Sequence, residues 1–513
     1  MEATFVIIGG GIAGVSCIKT LSFLAPEEPA ILITSTAHVK VVTNIVPVGK
    51  VAMQFDVEEQ SSTNLSSLHP NLRIINETVI RIHPEEKIIE TETGIIVKFK
   101  KICICTGARP RLIANSPFVI GIRDTESVDE FSRRIQRARR ILVVGNGGIA
   151  TEIVYKIENV DVVWAIKDRH VSATFVDPGA AEFFKPTIFR GSNESAEKLE
   201  KISTENNVGK FEENPNEKLN FHAPPRNPSS KIAGAALGPE WQKNFPLPSP
   251  FSSPRHISIE YECEVSKIIS RVQDAWEIIK TSDNYEKSFS SICEAKNDDF
   301  SPPEGEDQNW PIFAELTNGK TIGCDFIISA TGVIPNSEIP GLELAERAAD
   351  GGLSVDWKLE TNLKDIFAAG DVCSANWSLA DHWMQMRLWT QAHQMGCSAA
   401  KSMVSILNNE DFLQDFCFEL FTHVTKFFGY KVVLLGLYNG QKLDGNYEIL
   451  LRMTRDEEYV KLVVKNGRLQ GAVLIGETDL EEMCENLILN QLDISIYGED
   501  LLNPDIDIED YFD

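Results

Sequence analysis

The chain has 513 residues, of which 43% are hydrophobic and 24% are charged. At about 150 residues per domain this length favours roughly three domains, and the composition excludes fibrous and wholly disordered proteins. Acidic residues outnumber basic ones by 75 to 49, and the net charge of -26 argues against direct nucleic-acid binding through a basic face.

The ten cysteines are scattered between Cys17 and Cys484, without CxxC pairs or the spacing of zinc ligands. We therefore expect reduced thiols and no metal site. The N-terminus enters the strand-like TFVIIGG without a signal-peptide pattern, and no apolar run approaches membrane-spanning length. These features predict a cytosolic or nuclear protein that does not bind membranes.

The first 34 residues have the pattern of one βαβ unit. A strand is predicted over residues 4–8, a helix over 12–24 and a second strand over 30–34. The turn before the helix reads GGGIAG, and its fingerprint positions are Gly9, Gly11 and Gly14. Glycines there permit a tight turn and close approach of the backbone to a pyrophosphate, whose charge the helix N-terminus favours.

The same pattern returns later in the chain. A strand over 140–144, a helix over 149–157 and a strand over 161–166 are predicted around the turn GNGGIA. Its fingerprint positions are Gly145, Gly147 and Ala150. Two such units predict two dinucleotides, and a flavin reduced by a nicotinamide is the simplest pair.

Three further motifs each follow or end a predicted strand. CTGARP spans residues 105–110, ATGVIPN spans 330–336, and TNLKDIFAAGD spans 361–371. The last motif ends in Gly370, which admits close approach of the backbone, and in Asp371, whose carboxylate can accept hydrogen bonds from sugar-chain hydroxyls.

This ordered set of five motifs resembles the pyridine nucleotide-disulfide oxidoreductase family over about residues 4–405. The resemblance implies an α/β fold with two Rossmann-like domains, which bind FAD and NAD(P)H, and a C-terminal α+β domain. The implied segments are an FAD domain at 1–125 and 330–412, an NAD(P)H domain at 126–329 and a C-terminal domain at 413–513 with an acidic tail. A polar, Pro-rich stretch at about 191–254 predicts a mobile insertion in the NAD(P)H domain.

The resemblance also implies where the cofactors bind. It assigns the first fingerprint to the FAD pyrophosphate, Asp371 to the ribityl and pyrophosphate region, and the second fingerprint to the nicotinamide cofactor. The full set of candidate cofactor-binding residues is Gly9, Gly11, Ile12, Ala13, Gly14, Thr34, Ser35, Thr106, Gly107, Arg109, Gly145, Gly147, Gly148, Ile149, Ala150, Lys167, Thr331, Gly332, Gly370, Asp371 and Trp389.

The chain departs from this family in its cysteines. The segment HVKVVTNIVPVGK (38–50) lacks the redox cysteine or pair that the family's disulfide reductases carry there, and the nicotinamide domain has no CxxC. A dithiol relay is therefore not expected. The only near pair, Cys103 and Cys105, lies two apart in a strand with both side chains on one face, so small buried residues are favoured over a disulfide.

A second departure concerns the ribose contacts. Thr34 and Ser35 stand where an acidic residue normally accepts the adenosine ribose hydroxyls, although hydroxyl groups can also bond a ribose. In the second unit, Lys167 and Arg169 could pair a 2′-phosphate and favour NADPH, while Asp168 could serve NADH. Solvated surface charge is the alternative reading.

Two charged residues are candidates for catalysis. Glu152 follows the GNGGIA turn and could face the nicotinamide or a flavin-side lysine, with Lys40 as the candidate partner. Two unrelated surface charges are the alternative. A long helix predicted over 379–407 would direct its N-terminus at the flavin pyrimidine, where Trp389 and Gln391 are candidate contacts or core residues.

The remaining segments predict structure more than chemistry. The polar stretch 296–310 is expected to be a hairpin loop, and the strand-rich region from residue 416 is followed by a helix over 479–490. Residues 479–513 contain twelve acidic residues and no Lys or Arg. This tail either solvates or binds, as an extended strand or acidic motif, a basic partner.

Together these features predict an FAD-dependent oxidoreductase that takes hydride from NAD(P)H and passes electrons to oxygen, a quinone or a protein acceptor. A redox-sensing scaffold, whose reduced flavin state controls partner binding, and a degenerate fold without cofactor are the alternatives. The resemblance further implies association with a tRNA ligase complex and its protection from oxidation. Monomer and homodimer both stay open.

Overall fold

A computed structural model of the chain describes residues 1–157, 160–189, 256–272, 275–279, 293–296, 300–303, 306, 307 and 309–503. The predicted insertion at about 191–254 and the DIDIEDYFD terminus lie outside these residues.

The described chain is rich in short strands. In chain order they are β1 (Glu2–Ile8), β2 (Ala30–Thr34), β3 (His38–Pro47), β4 (Met53–Ser61), β5 (Leu72–Asn76), β6 (Val79–His83), β7 (Ile88–Thr91), β8 (Ile96–Ile104), β9 (Ala108–Pro110), β10 (Val119–Ile120), β11 (Arg140–Val144), β12 (Asp161–Ala165), β13 (Ile257–Glu260), β14 (Val265–Val272), β15 (Ala275–Ile279), β16 (Cys293–Lys296), β17 (Ile312–Leu316), β18 (Thr321–Cys324), β19 (Phe326–Ser329), β20 (Val333–Pro335), β21 (Leu353–Val355), β22 (Ile366–Ala368), β23 (Cys373–Ala375), β24 (Thr422–Phe427), β25 (Tyr430–Gly436), β26 (Glu448–Thr454), β27 (Glu458–Lys465) and β28 (Arg468–Ile475). The α-helices are α1 (Ile12–Leu24), α2 (Ser62–Leu68), α3 (Thr125–Ile135), α4 (Gly148–Lys156), α5 (Pro178–Ile188), α6 (Trp389–Asn408) and α7 (Glu481–Asn490).

The chain divides into two compact units. Unit 1 comprises Met1–Arg109, Val333–Lys426 and the described residues from Lys431 onward, and unit 2 comprises the described residues of Pro110–Gly332 together with Phe427–Tyr430. The units therefore divide at 109/110 and 332/333. The domain boundaries expected at 125/126, 329/330 and 412/413 stay predictions.

Unit 1 is built on a seven-stranded sheet in the order β5-β2-β1-β8-β7-β6, with β22 pairing to β8. The strands β5, β2, β1, β8 and β22 are mutually parallel. Strands β1, β2 and β22 are nearly continuous apolar runs, because central parallel strands are buried on both faces. Their carboxyl ends meet at one edge of the sheet, which is where such folds bind ligands.

Two helices cover this sheet and begin at the same edge. Helix α1 packs closely against α6, since a Cβ at Gly396 would lie 2.2 Å from the carbonyl oxygen of Ala13. Helix α6 begins at Trp389, so the prediction of a helix from 379 is wrong. The preceding loop satisfies its backbone through Gln391, whose side chain accepts from Met386 N at 2.7 Å and donates to Met384 O at 2.8 Å.

The rest of unit 1 consists of a long hairpin and a C-terminal α+β region. Strands β3 and β4 pair antiparallel over residues 38–61. The C-terminal sheet has the order β24-β25-β28-β27-β26 and packs against α7. Helix α7 starts at Glu481, two residues after the predicted start at about 479, because Asp479 has a positive φ of 51°, outside the right-handed helical region.

Unit 2 repeats the first architecture with a parallel sheet in the order β10-β19-β11-β12-β13. The predicted α/β class with two Rossmann-like sheets is therefore confirmed. A second, antiparallel sheet has the order β16-β15-β14-β17-β18. The stretch 296–310 therefore joins strands that are not neighbours, and the prediction that it is a hairpin loop is wrong.

Candidate dinucleotide-binding and active site

The first fingerprint folds as a glycine cradle at the carboxyl edge of the unit 1 sheet. Gly9 has a φ of 114°, and a Cβ there would lie 2.2 Å from the carbonyl oxygen of Cys105. A Cβ at Gly14 would lie 2.0 Å from the carbonyl oxygen of Gly9. At Gly11 a Cβ would meet no protein atom within 4 Å. The outer two glycines are therefore needed for packing, whereas Gly11 borders open space.

The N-terminus of α1 opens into that space. Gly11 is its N-cap residue and provides no side-chain cap. The first N–H groups of a helix have no partner within the helix, so an uncapped first turn can bind an anion. Ile12 and Ala13 in this turn are buried against the core. The arrangement fits the pyrophosphate of a dinucleotide.

The CTGARP and ATGVIPN motifs meet around Asn336, through both its side chain and its backbone. Its Nδ2 donates to the carbonyl oxygen of Thr106 at 3.0 Å, and its backbone N–H donates to the carbonyl oxygen of Gly107 at 2.9 Å. The hydroxyl of Thr106 donates to the carbonyl oxygen of Asn336 at 2.8 Å, and Arg109 Nη1 donates to Asn336 Oδ1 at 3.3 Å. Asn336 was not among the predicted site residues, although it lies within a quoted motif.

Gly370 and Asp371 lie beside the first cradle. Gly370 has a φ of 81°, and a Cβ there would approach the Cβ of Ala13 to 2.8 Å. Asp371 is 7% exposed, and its carbonyl oxygen accepts from Arg387 Nε at 2.9 Å. The Gly-Asp turn therefore meets the first turn of α1, as a shared ligand site requires.

The hairpin brings Lys40 to the same edge. The backbone N–H of Lys40 donates to the carbonyl oxygen of Gly10 at 2.9 Å. Its Nζ lies 5.9 Å from the centre of the Trp389 ring, within cation–π range, at the start of α6. Lys40 and Trp389 thus lie together beside the first cradle.

Thr34 and Ser35 end strand β2. Thr34 is 4% exposed, and its hydroxyl lies so close to Gly10 that a Cβ there would be 2.7 Å from Oγ1. Ser35 is exposed. Thr34 therefore borders the cradle, Ser35 follows it in the chain, and the ribose contacts of both residues stay predictions.

The second fingerprint, in unit 2, repeats the first closely. Gly145 has a φ of 124°, and a Cβ there would lie 2.2 Å from the carbonyl oxygen of Ala330. Gly147 is the N-cap residue of α4 without a side-chain cap, and a Cβ there would meet no protein atom within 4 Å. Gly148 and Ile149 form the first turn of α4, and Ala150 is fully buried. This cradle therefore has the same geometry as the first and fits the pyrophosphate of a second dinucleotide.

The neighbouring turn of unit 2 is held by hydroxyl groups. The hydroxyl of Thr331 donates to the carbonyl oxygen of Arg111 at 3.0 Å. Gly332 follows with a φ of 100° and is exposed. This turn corresponds to Thr106 and Gly107 of unit 1.

Asn146, which lies inside the second fingerprint, organises the loop after β12. Its Nδ2 donates to Asp168 Oδ2 at 2.8 Å and to the carbonyl oxygen of His170 at 2.9 Å, and its Oδ1 accepts from the Ser172 N–H at 2.5 Å. Sequence reasoning treated Asn146 as a variable fingerprint position and missed it. An amide between two glycines of a turn was the available signal.

The three candidate 2′-ribose residues differ in their contacts. Lys167 is exposed, Asp168 is half-buried and bonded to Asn146, and the exposed Arg169 pairs through Nε with Glu262 at 3.0 Å. Lys167 and Arg169 thus both project from the end of β12. The choice between NADPH and NADH stays a prediction.

Glu152 lies on the second turn of α4, 8% exposed, and its carboxylate pairs with Lys156 one turn further along. Glu152 and Lys40 belong to different units, so their predicted pairing stays a prediction. The structure adds Lys156 as a direct partner of Glu152.

The thiols of Cys103 and Cys105 are free, buried and 3.6 Å apart between sulfur atoms. Hydrogen bonding to Cys103, then burial, raises the pKa of Cys105 well above its usual range, and burial raises that of Cys17. Buried thiols held in the protonated form are poor nucleophiles. The nine cysteines whose side chains the structure describes are all free, and none of them lies on the β3–β4 hairpin.

A carboxylate from the C-terminal region fixes the hairpin, and sequence reasoning missed it. Glu485 on α7 accepts N–H bonds from Lys50 at 2.5 Å, Val51 at 3.1 Å and Ala52 at 2.6 Å. Burial raises its pKa, while these backbone bonds act in the opposite direction. The partners lie more than 430 residues apart in sequence, so no local pattern could reveal them.

Within the described residues, no group of three or more His, Cys, Asp or Glu side chains is placed to hold a metal ion. Among the helices of the same residues, none is long and apolar enough to cross a membrane.

Comparisons with known proteins agree with the two cradles. The pyridine nucleotide-disulphide oxidoreductase family model matches residues 3–186 and 295–396, and the rubredoxin NAD+ reductase C-terminal domain model matches 423–492. The chain is 48% identical over 514 residues to pyridine nucleotide-disulfide oxidoreductase domain-containing protein 1 of Pongo abelii, covering 99% of this chain and 98% of the relative. The Homo sapiens protein of the same name is 47% identical over 514 residues, with the same coverage.

Solved structures share the fold at low identity. The covalent putidaredoxin reductase–putidaredoxin complex is similar with a TM-score of 0.63 at 14% identity, covering 99% of this chain and 98% of that chain. NADH:rubredoxin oxidoreductase from Clostridium acetobutylicum is similar with a TM-score of 0.54 at 14% identity, covering 99% and 100%. With twin dinucleotide folds and relatives matched over nearly their whole length, the chain belongs to the pyridine nucleotide-disulfide oxidoreductase family.

Proposed function

We propose that the protein is an FAD-dependent NAD(P)H oxidoreductase. The observation that carries this proposal is the pair of matched cradles, in which Gly11 and Gly147 each border open space before an uncapped helix. When bound, FAD supplies a two-electron hydride acceptor that can release its electrons onward, and NAD(P)H supplies the hydride.

The residues of unit 1 would hold FAD. Gly9, Gly11 and Gly14 form the cradle and the first turn of α1 supplies N–H donors for the pyrophosphate, while Asp371 accepts bonds from the ribityl hydroxyls. Lys40 provides a positive charge beside the cradle, which favours a hydride acceptor. In unit 2, Gly145, Gly147 and the first turn of α4 would hold NAD(P)H, with Lys167 or Asp168 at its ribose.

The electrons leave by direct contact with an acceptor, without a dithiol relay. The hairpin at 38–61 has no cysteine, and Cys103 and Cys105 are both buried, with the pKa of Cys105 raised well above its usual range by its hydrogen bond to Cys103 and by burial. Oxygen, a quinone or a protein is the acceptor. The similar folds named as putidaredoxin reductase and as a rubredoxin oxidoreductase support a protein acceptor.

The proposal is tested on purified protein. We expect a yellow chain with flavin absorbance that NAD(P)H bleaches under nitrogen, and that oxygen, a quinone or a one-electron protein acceptor restores. A colourless chain that takes up no added FAD would refute the proposal and support the alternative of a degenerate fold that binds no cofactor. If NAD(P)H bleaches the flavin and none of the three acceptors restores its absorbance, catalytic turnover is refuted.

A second function, NAD(P)H-dependent sensing, is favoured by the contact between Glu485 and residues 50–52. This contact connects the hairpin, which begins beside the first cradle, with the C-terminal helix α7. A long-lived reduced flavin, slow oxidase turnover and partner binding that needs NAD(P)H would support sensing over catalysis.

Further parts of the proposal concern the cell. We place the protein in the cytosol or nucleus, in line with its free thiols, and a fluorescent fusion tests this location. We also propose that it protects a tRNA ligase complex from oxidation, in line with the family resemblance of its motifs. The ligase should keep its activity in air when this chain and NAD(P)H are both present, and lose it when either is omitted.

A further inference from the structure

The side chain of Asn146 connects the second cradle to the loop after β12. We call residues 167–174 the β12 loop. Asn146 lies inside the fingerprint turn and is 7% exposed. Its two amide N–H groups donate to Asp168 Oδ2 and to the carbonyl oxygen of His170, and its Oδ1 accepts from the Ser172 N–H. A buried amide with all these partners has one orientation, so it fixes the loop relative to the cradle.

Helix α4 holds the β12 loop from a second side. Ser172 is completely buried and has a φ of 56°, in the left-handed region. Its hydroxyl lies 2.8 Å from that of Thr151, which donates to the carbonyl oxygen of Gly147 at 3.0 Å. The hydroxyl of Thr174 donates to the carbonyl oxygen of Asn146 at 3.4 Å. Contacts within the protein therefore hold the loop against the cradle.

Asp168 is the charged residue that this network orients. It follows the second strand of the unit, where a carboxylate can bind the hydroxyl groups of an adenosine ribose. The amide of Asn146 holds one of its carboxylate oxygens, Oδ2, at 2.8 Å. Among the described residues, its other oxygen, Oδ1, has no hydrogen-bond partner. The carboxylate is half-buried, so it is oriented through one oxygen and can accept bonds from a ribose through the other.

The two cations of the β12 loop are held less firmly than this carboxylate. Lys167 is exposed, so water and salt screen its charge. Arg169 is also exposed, and its Nε already pairs with Glu262 at 3.0 Å. The charge that the protein fixes beside the second cradle is therefore the negative charge of Asp168. A phosphate group placed beside this carboxylate would be repelled.

We propose that Asn146 is a positioning residue that makes unit 2 selective for NADH over NADPH. This inference rests on the proposed function and specifies its hydride donor. Asn146 orients Asp168, which accepts hydrogen bonds from the ribose hydroxyls of NADH and repels the 2′-phosphate of NADPH. Lys167 acts in the opposite direction from an exposed position and limits the selectivity.

Titration of the purified, flavin-containing chain with NAD+ and NADP+ tests the selectivity without turnover. These oxidised dinucleotides carry the same ribose groups as NADH and NADPH and cannot donate hydride. Calorimetry should give a Kd for NAD+ that is roughly tenfold lower than the Kd for NADP+. Asn146→Ala should weaken NAD+ binding by about tenfold and bring the ratio of the two Kd values close to one. Asn146→Ser, which keeps an oxygen acceptor, repeats the test with a smaller disturbance.

Further variants separate positioning from a general loss of structure. Asp168→Asn keeps the shape of the side chain and removes its charge, so the ratio should fall to about one. In the Asp168→Asn background, Asn146→Ala should not change the ratio further, because Asn146 acts through Asp168. Thr151→Val is the matched control, since it removes the hydroxyl that holds the other side of the loop. This control should keep the parental ratio even if both Kd values rise.

A parent chain that binds NADP+ as tightly as NAD+ would overturn the proposal. A parental ratio in the flavin-containing Asn146 variants or in Asp168→Asn would also overturn it. A ratio that Asn146→Ala still changes in the Asp168→Asn background would show that Asn146 does not act through Asp168. A yellow chain that binds neither dinucleotide would refute the proposed function of unit 2 itself, and the selectivity with it.

Discussion

Gly11 and Gly147 are equivalent positions in the two cradles, and a valine at either should remove one cofactor without the other. Their φ angles of −75° and −92° are ones that valine adopts, and a Cβ at either meets no protein atom within 4 Å. Each variant should therefore fold, at a cost of about 1 kcal/mol for losing glycine at the N-cap.

The loss of affinity can be worked from the same geometry. Valine fills the space into which the first helical turn directs its N–H groups, so the pyrophosphate loses about two charge-assisted hydrogen bonds. At about 2 kcal/mol each, the loss is roughly 4 kcal/mol, or about a thousandfold in Kd.

The assay is flavin occupancy and anaerobic bleaching. Gly11→Val should purify without flavin, whereas Gly147→Val should stay yellow and no longer bleach with NAD(P)H. Gly14→Val should fail to fold, because its Cβ would lie 2.0 Å from the Gly9 carbonyl oxygen. This variant is therefore the control for loss of flavin through misfolding. Parental flavin occupancy in Gly11→Val, or parental bleaching in Gly147→Val, would refute the assignment of the cradles.

Three further predictions follow from other contacts. Lys167→Glu should shift the ratio of the Kd values for NADPH and NADH towards NADH by roughly tenfold, and an unchanged ratio in binding titrations would dismiss Lys167 as a 2′-phosphate ligand. Burial lowers the pKa of His423 from 6.5 to about 4. As the pH falls, this histidine therefore takes up a proton in the unfolded chain before it does so in the folded chain. The free energy of unfolding is unaffected by this histidine above pH 6.5 and falls by up to about 3 kcal/mol by pH 4. His423→Gln should flatten that part of the pH profile in urea unfolding, and an unchanged slope would contradict the burial argument. Glu485→Ala leaves three N–H groups of residues 50–52 without their acceptor and should lower the free energy of unfolding by about 2–4 kcal/mol in the same assay. Glu482→Ala, at an exposed residue of the same helix, should leave it unchanged. Equal effects of the two variants would argue against a stabilising role of the Glu485 contact.

The elements around the two fingerprints could be predicted from the sequence because they depend on local patterns. Strand, turn and helix follow one another within about 20 residues at each fingerprint, and glycine spacing reports directly on backbone approach. Helix α1 accordingly has the predicted bounds, Ile12–Leu24, and β2 the predicted bounds, Ala30–Thr34. Both cradles formed where the motifs placed them.

One feature that the sequence could not predict depends on a local side-chain contact. The loop before Trp389 has helical spacing, but Gln391 bonds the backbone of Met384 and Met386, so the helix starts ten residues later than predicted. Two other features depend on contacts between distant segments. The clamp of Glu485 on residues 50–52 and the role of Asn336 between two motifs depend on tertiary proximity. No periodicity within one segment contains that information.

The claim that electrons leave the flavin without a dithiol relay is tested most directly by anaerobic titration with NAD(P)H. The account predicts that about one equivalent per FAD completes the reduction, since hydride transfer is a two-electron step. Replacing Cys103 and Cys105 together by serine should leave this value unchanged. A requirement for about two equivalents, falling to one in that double variant, would show a redox-active disulfide in the chain and contradict the account.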